Sequence, residues 1–468
     1  MTFTSVEDLE ACKDWVKKGS GTINGVLNFV SLEKRSRRGV SISAKKTVLE
    51  RTELLVLPEG KFVGVTEAKR LLDEAYDGFC SCGLVEDPET YVSLAVLLER
   101  SKGSRSEFAP FLRLLPNEDE LDCVPMWSDK ELEMLHGSPS YTDVKTWLKD
   151  TEDEWSSLDE EIFQKKRDVF PSEHFSLRRY QWALCITSSR GFYASQSEPA
   201  VLAPILSFLS PSTPGSKPST SLEMKGGMFF AKKKLVLTAK RDMKDGNVLT
   251  ISYGQSLRNV QLAIVRGLTV DDTRFHSFTL SFELSALDRF YDDKRDILET
   301  ADVELDPKFE IVSGDREEDY QAPEDMDAFL RLLCLTGSDA FLLEAVFRRD
   351  AWEFMELPVS YENERAICEL VANACADALD EYTQKWNDEA DENESEREKM
   401  AKCIVQGERK ILENVEKEYR RRLNSLDGLE YYAERRLKVL DLLRPVDECE
   451  IVDSESGGRV ARAFDENY

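Results

Sequence analysis

Apolar positions along this chain follow two different periods. Between residues 5 and 18 they recur at helical spacing, with Ser5 in a cap position and Trp15 on the apolar face, which predicts a short helix. Residues 39–57, GVSISAKKTVLERTELLVL, alternate and are rich in β-branched side chains, so they read as two strands with a turn between them. From residue 66 to 166 the pattern is mostly helical. Residues 91–98 and 156–166 keep helical spacing, and Trp-Ser-Asp-Lys-Glu-Leu at 127–132 is a helix-start signal. Residues 180–187 predict another helix.

Strand patterns then return. Residues 228–231 and 235–239 flank a lysine turn, Lys244-Asp245-Gly246-Asn247 is a turn, and 248–253 reads as a strand. After about residue 300 the chain reads as helical to residue 443, with Leu412, Val415, Tyr419, Leu423 and Leu426 on one face. Pro445 ends the last helix, and a polar tail follows. The Pro/Ser/Gly-rich stretch 210–220 and the acidic stretch 388–398 read as loops. A β-rich core interrupted by a helical insert and followed by a helical domain is an α+β layout.

Composition narrows the class of function. A chain of 468 residues has room for two or three domains, and 41% apolar with 32% charged residues can bury a substantial core, which excludes global disorder. The formal net charge of −28 argues against a nucleic-acid partner and suits a basic or lysine-bearing protein partner. The longest apolar runs, such as 94–98, are too short to span a bilayer, so no membrane partner is expected. The N-terminal MTFTSVEDLEACKDW carries acidic residues early and reads as neither a secretory signal nor an Arg/Ser-rich transit peptide, so the residues themselves place the protein in the cytoplasm or leave a targeting segment outside this sequence. Ten scattered cysteines, with Cys80-Ser81-Cys82 as their closest pair, and three histidines give no zinc spacing, so no metal site is expected. The thiols read as reduced and mostly buried.

Several motifs in order carry a family resemblance. They include Trp127–Leu132 followed by Leu135-His136-Gly137-Ser138, then Trp182-Ala183 with Ser189-Arg190-Gly191-Phe192, then Ile251-Ser252-Tyr253-Gly254. In the C-terminal half they include Phe329-Leu330-Arg331-Leu332-Leu333, Gly337–Glu344, Leu357-Pro358-Val359-Ser360, Gly407-Glu408-Arg409-Lys410 and Leu429–Lys438. From about residue 10 to 440 the chain resembles the plant Rubisco large-subunit lysine methyltransferases. The resemblance implies a SET β-fold split as 1–75 and 181–275, a helical insert at 76–180, a helical substrate-binding domain at 276–445 and a tail at 446–468. It also implies S-adenosylmethionine as methyl donor, a protein partner such as Rubisco or a basic plastid protein, and a plastid location.

The same resemblance assigns site residues. Tyr253 stands where the family keeps its catalytic tyrosine. Gly39 and Ser41 stand in the Gly-x-Gly turn beside the donor, and Arg190 matches the arginine next to it. After Pro204 the family reads Pro-x-x-Asp-x-x-Asn-His-Ser, whereas this chain has Ser207, Ser210 and Pro211 at the Asp, Asn and His positions. Arg266 replaces a second tyrosine that lines the lysine channel. Two functions follow: a protein-lysine methyltransferase using Tyr253, or a SET protein that binds a partner as a scaffold without transferring methyl groups.

Overall fold

The computed structural model describes residues 6–19, 21–23, 27–30, 41–212, 217–226, 232–252, 257–316, 319–344, 347, 350–382 and 394–440. Ser5, Gly39, Tyr253, the anticipated strand 228–231, much of the acidic stretch 388–398 and the tail with Pro445 lie outside the described residues. The chain forms two compact units, each assembled from separate stretches. The first takes residues 1–278, 312–321 and 378–412, and the second takes 279–311, 322–377 and 413–468. Residues 378–412, which the motifs group with 276–445, are therefore counted with the strand-bearing unit.

The strands of the first unit are short. They are β1 (Thr22–Ile23), β2 (Leu27–Val30), β3 (Ser41–Ala44), β4 (Glu53–Pro58), β5 (Val63–Gly64), β6 (Val201–Leu202), β7 (Ser210–Pro211), β8 (Thr220–Lys225), β9 (Lys234–Ala239) and β10 (Thr250–Ile251). Four of them form an antiparallel sheet in the order β1-β4-β9-β8. A register shift between Glu53 and Leu55 lets consecutive Leu54 and Leu55 both face packed surfaces. Smaller pairs are β2 with β3, β5 with β6, and β7 with β10, the last being parallel.

Residues 39–57 thus supply β3 and β4, and 235–239 lie in β9, as their alternation predicts. Two expectations are corrected. The stretch 210–220 is not wholly loop, because Ser210–Pro211 is β7 and Thr220 opens β8. A two-residue strand containing proline has no sequence signature, and β8 is an edge strand whose polar residues blur its alternation. The chain after residue 300 is also not wholly helical, since Lys308–Ser313 and Tyr320–Gln321 pair as strands through Val312 and Ser313.

Helices cover the region between β5 and β6. They include Pro88–Ser101, Pro139–Leu158 and Leu177–Arg190. The start signal at 127–132 is a reciprocal capping box, in which Ser128 and Glu131 satisfy each other's backbone N–H groups before the turn Asp129–Leu132. Trp182 is core: its Nε1 donates to Pro116 O at 3.0 Å and the Arg100 guanidinium lies 4.0 Å from its ring centre. Of the nine described cysteines, five are buried, and none is joined to another in a disulfide. No helix among the described residues is long and apolar enough to cross a membrane.

Among its described residues, the second unit buries charge in paired sets. Arg331 reaches Glu364 at 2.6 Å and Met355 O at 2.8 Å, and fully buried Lys294 reaches Asp288 and Leu333 O, each at 2.8 Å. Removing one member of such a set leaves an unpaired buried charge, which is what makes these positions intolerant.

Within the first unit, the Gly407-Glu408 pair of the helix Glu396–Leu423 has a physical explanation. A side chain at Gly407 would lie 2.0 Å from His276 Nδ1, so only glycine lets that ring pack against the helix. Glu408 is buried, accepting from Ser138 Oγ at 3.0 Å and from Tyr382 OH at 2.9 Å. Burial pushes its carboxyl up to about 8, although the bonds from Ser138 and Tyr382 pull the other way. The folded value lies above the unfolded value of 4.5, so the folded state holds this proton more tightly. The stability Glu408 contributes is therefore complete below its unfolded pKa and is lost as pH rises through its folded one. The slope is about 1.4 kcal/mol per pH unit across that window. Urea unfolding between pH 5 and 8 should show this falling limb, and Glu408→Gln should flatten it; an unchanged limb would show that Glu408 does not titrate as described.

Candidate active site

Three stretches far apart in sequence meet on the segment 248–251. Leu249 N donates to Ile42 O of β3 at 2.7 Å, and Val48 and Met243 exchange backbone bonds just beyond it. On the other side β10 pairs with β7 in the register Thr250 with Ser210 and Ile251 with Pro211, and Ser212 N donates to Ile251 O at 2.9 Å. Buried Ser219 closes the arrangement. Its hydroxyl accepts from Thr250 N at 2.7 Å and donates to Thr250 O at 3.2 Å, while Thr220 Oγ1 donates to the same carbonyl at 2.9 Å. The chain that continues to Tyr253 is thus fixed two residues earlier from both flanks.

Of the residues assigned from the sequence, Arg190, Ser207 and Arg266 are brought into one network. Arg190 is the last residue of the helix Leu177–Arg190, and its Nη1 donates to Ser207 O at 3.0 Å. Ser207 is buried, and its hydroxyl turns back to Ala203 O at 3.1 Å. Arg266 Nη1 donates to Ser189 O at 2.7 Å and to Gly191 O at 3.4 Å. The Arg266 guanidinium is thus held on backbone carbonyls beside Arg190. Ser41 opens β3, its backbone paired with Val30, and Ser210 lies in β7 paired with Thr250. Gly39 and Tyr253 lie outside the described residues, so their placement here stays an expectation.

Some features of this centre had no sequence signal. Ile205, immediately before the turn Leu206–Phe208, has a φ of +73° although it is β-branched and fully buried. Such a conformation is a real outlier for isoleucine and costs about 1–3 kcal/mol, held here by the surrounding core. The Ser219–Thr250 lock was hidden because both residues sit in polar surroundings that read as turn or edge. Glu198 is another buried acid, bonded to Lys233 Nζ at 3.0 Å, to Thr66 N at 3.3 Å and to the Thr66 hydroxyl, and it anchors the hairpin that leads from Arg190 into β6.

Comparison with known proteins places this architecture. Residues 285–412 match the family model for the Rubisco LSMT substrate-binding domain. The chain is 30% identical over 412 residues to the chloroplastic ribulose-1,5 bisphosphate carboxylase/oxygenase large subunit N-methyltransferase of Nicotiana tabacum, covering 86% of this chain and 81% of that protein. It is 33% identical over 359 residues to the chloroplastic [fructose-bisphosphate aldolase]-lysine N-methyltransferase of Arabidopsis thaliana, covering 75% and 73%. A crystal structure of the SET domain of LSMT bound to methyl-lysine and AdoHcy superposes with a TM-score of 0.79 at 26% identity, over 95% of this chain and 98% of that one. A structure of Rubisco LSMT bound to AdoMet gives 0.78 at 25% identity, over 94% and 97%. The chain belongs to the Rubisco large-subunit methyltransferase family of SET proteins, an α+β fold with a helical substrate-binding region.

Members of this family draw their methyl group from S-adenosylmethionine, whose polar end bears a carboxylate and an ammonium. Arg190, half-buried at a helix end, carries the charge opposite to that carboxylate, while the Ser207 hydroxyl is turned to Ala203 O. Pro211 removes one backbone N–H but leaves the parallel pairing of β7 with β10 intact. The charge of Arg190 is compatible with that donor.

Removing the Ser219 hydroxyl would take this acceptor from the half-buried Thr250 N–H. Ser219→Ala should cost about 1–3 kcal/mol in unfolding free energy. Thermal unfolding of the variant measures this, and a loss within error of zero would show that the lock does not hold β10.

Proposed function

We propose that this protein transfers methyl groups from S-adenosylmethionine to a lysine of a plastid protein. The observation that carries the reading is the likeness to two chloroplastic protein N-methyltransferases, one named for the Rubisco large subunit over 86% of the chain and one named as a lysine N-methyltransferase over 75%. Rubisco and fructose-bisphosphate aldolase are the candidate substrates, on the names of the relatives. The acidic surface of a chain with a net charge of −28 supports a basic lysine-bearing face on the partner, since complementary charge speeds encounter.

S-adenosylmethionine supplies an activated methyl on a sulfonium. The remaining work falls to the protein. A free lysine has a pKa of about 10.4, so its amine must be desolvated and deprotonated before it can attack. It must also be held in line, and misplacement by about 1 Å can cost roughly a hundredfold. In this reading Tyr253 orients the amine, Arg190 binds the donor's carboxylate, and Gly39, Ser41, Ser207 and Ser210 line the donor. The β7–β10 pairing and the Ser219 lock supply a rigid mount two residues before Tyr253.

Recombinant Rubisco and aldolase lacking methylation, incubated with the protein and methyl-labelled donor, should acquire label on lysine. Tyr253→Phe should lower the rate roughly a hundredfold. Arg190→Met should raise the KM for the donor about tenfold, the effect of losing about 1.4 kcal/mol of binding. A folded protein that labels neither substrate and binds no donor would overturn this function and leave a partner-binding role.

A further inference from the structure

The helix Leu177–Arg190 ends at the donor-side segment, and its last carbonyls need partners. The final four C=O groups of any helix lack intrahelical donors, and the negative end of the helix dipole favours a cation there. Gly191 N returns to Thr187 O at 2.8 Å and satisfies one of these carbonyls. Arg266 comes from another part of the chain and takes Ser189 O at 2.7 Å together with Gly191 O at 3.4 Å. The two carbonyls it holds are those immediately before and after Arg190.

Arg266 is itself rigidly mounted. It ends the turn Leu262–Arg266, which closes when Gly267 N donates to Ala263 O at 3.0 Å. Gly267 has a φ of +60°, and a Cβ there would lie 2.5 Å from the backbone of Asp122, so only glycine lets the turn approach that backbone this closely. Cys123 Sγ donates to Val265 O at 3.5 Å on the residue before. Glu89, at the start of the helix Pro88–Ser101, faces the same guanidinium. Its side chain reaches solvent, yet desolvation raises its carboxyl pKa, Asp87 pushes the same way, and the Arg266 cation opposes both.

We propose that Arg266 is a positioning residue, a cationic cap that locks the Ser189–Gly191 turn and thereby aims Arg190 at Ser207 and the donor's carboxylate. This assignment rests on the donor-binding reading above and replaces the expectation that Arg266 stands in the lysine channel. The guanidinium is occupied with main-chain carbonyls on the donor side, so its effect is on donor affinity and not on recognition of the protein substrate.

The test compares Arg266→Met and Arg266→Lys with the unmodified full chain, reading donor affinity, the kinetic constants and amide hydrogen exchange over residues 187–192. Arg266→Met should weaken S-adenosylmethionine binding at least tenfold and speed exchange of the Gly191 amide, leaving the KM for the protein substrate within twofold. Arg266→Lys, whose single ammonium can still reach one carbonyl, should recover part of the affinity, and it keeps the test open if the methionine variant does not fold. Equal donor affinity in the unmodified protein and Arg266→Lys, with unchanged exchange at Gly191, would overturn the cap. A raised KM for the protein substrate at unchanged donor affinity would instead return Arg266 to the lysine channel. If the unmodified protein itself binds no donor, the donor-binding reading fails, and this inference fails with it.

Discussion

The constraint on which the candidate site depends is that one short segment, 248–251, must satisfy several distant parts of the chain at once. Ile42, Ser210–Ser212 and Ser219 all spend backbone or hydroxyl hydrogen bonds on it. Each bond alone is modest, about 0.5–1.5 kcal/mol net. Their geometry is what matters, because a parallel two-residue pairing has no ladder to hold its register and relies on the side-chain lock from Ser219 and Thr220. Any shift of one residue there would turn the following side chains to the opposite face.

This explains how the chain tolerates a serine–serine–proline set where the family resemblance leads one to expect aspartate, asparagine and histidine. The pairing of β7 with β10 runs through the main chain, and Ser212, not Pro211, supplies the N–H that reaches Ile251. Proline at 211 is therefore compatible with the scaffold. In the proposed function the polar contact to the donor then falls mainly to Arg190 and to the residues that fix it. Arg266 holds the carbonyls on either side of Arg190, and Arg190 itself reaches the Ser207 carbonyl, two residues after the strained Ile205. The site is thus built from rigid main chain with few charged side chains.

Much of the fold was legible because it rests on strong local signals. The capping box at Ser128 and Glu131, the alternation through β3 and β4, and the apolar face at Leu412, Val415 and Tyr419 all carry their structure in their spacing. What escaped the sequence is tertiary. β7 is too short to leave a pattern, β8 is an edge strand with polar positions, and Lys308–Ser313 alternates within a stretch dominated by helical spacing. Glu408 reads as an ordinary surface acid of a charged helix, and only its burial against Ser138 and Tyr382 reveals otherwise. Arg266 reads as a misplaced cation until the carbonyls of Ser189 and Gly191 are seen around it. For Glu408 and Arg266 the deciding partners lie tens to hundreds of residues away.

The account stands on the claim that this centre still holds a methyl donor despite its substitutions. Calorimetric titration of S-adenosylhomocysteine, the demethylated product, into the full chain tests that claim without needing a substrate. The account predicts a saturable heat with one site per chain and a dissociation constant in the micromolar range. No heat at millimolar ligand, from a sample shown by its cooperative unfolding to be folded, would contradict it.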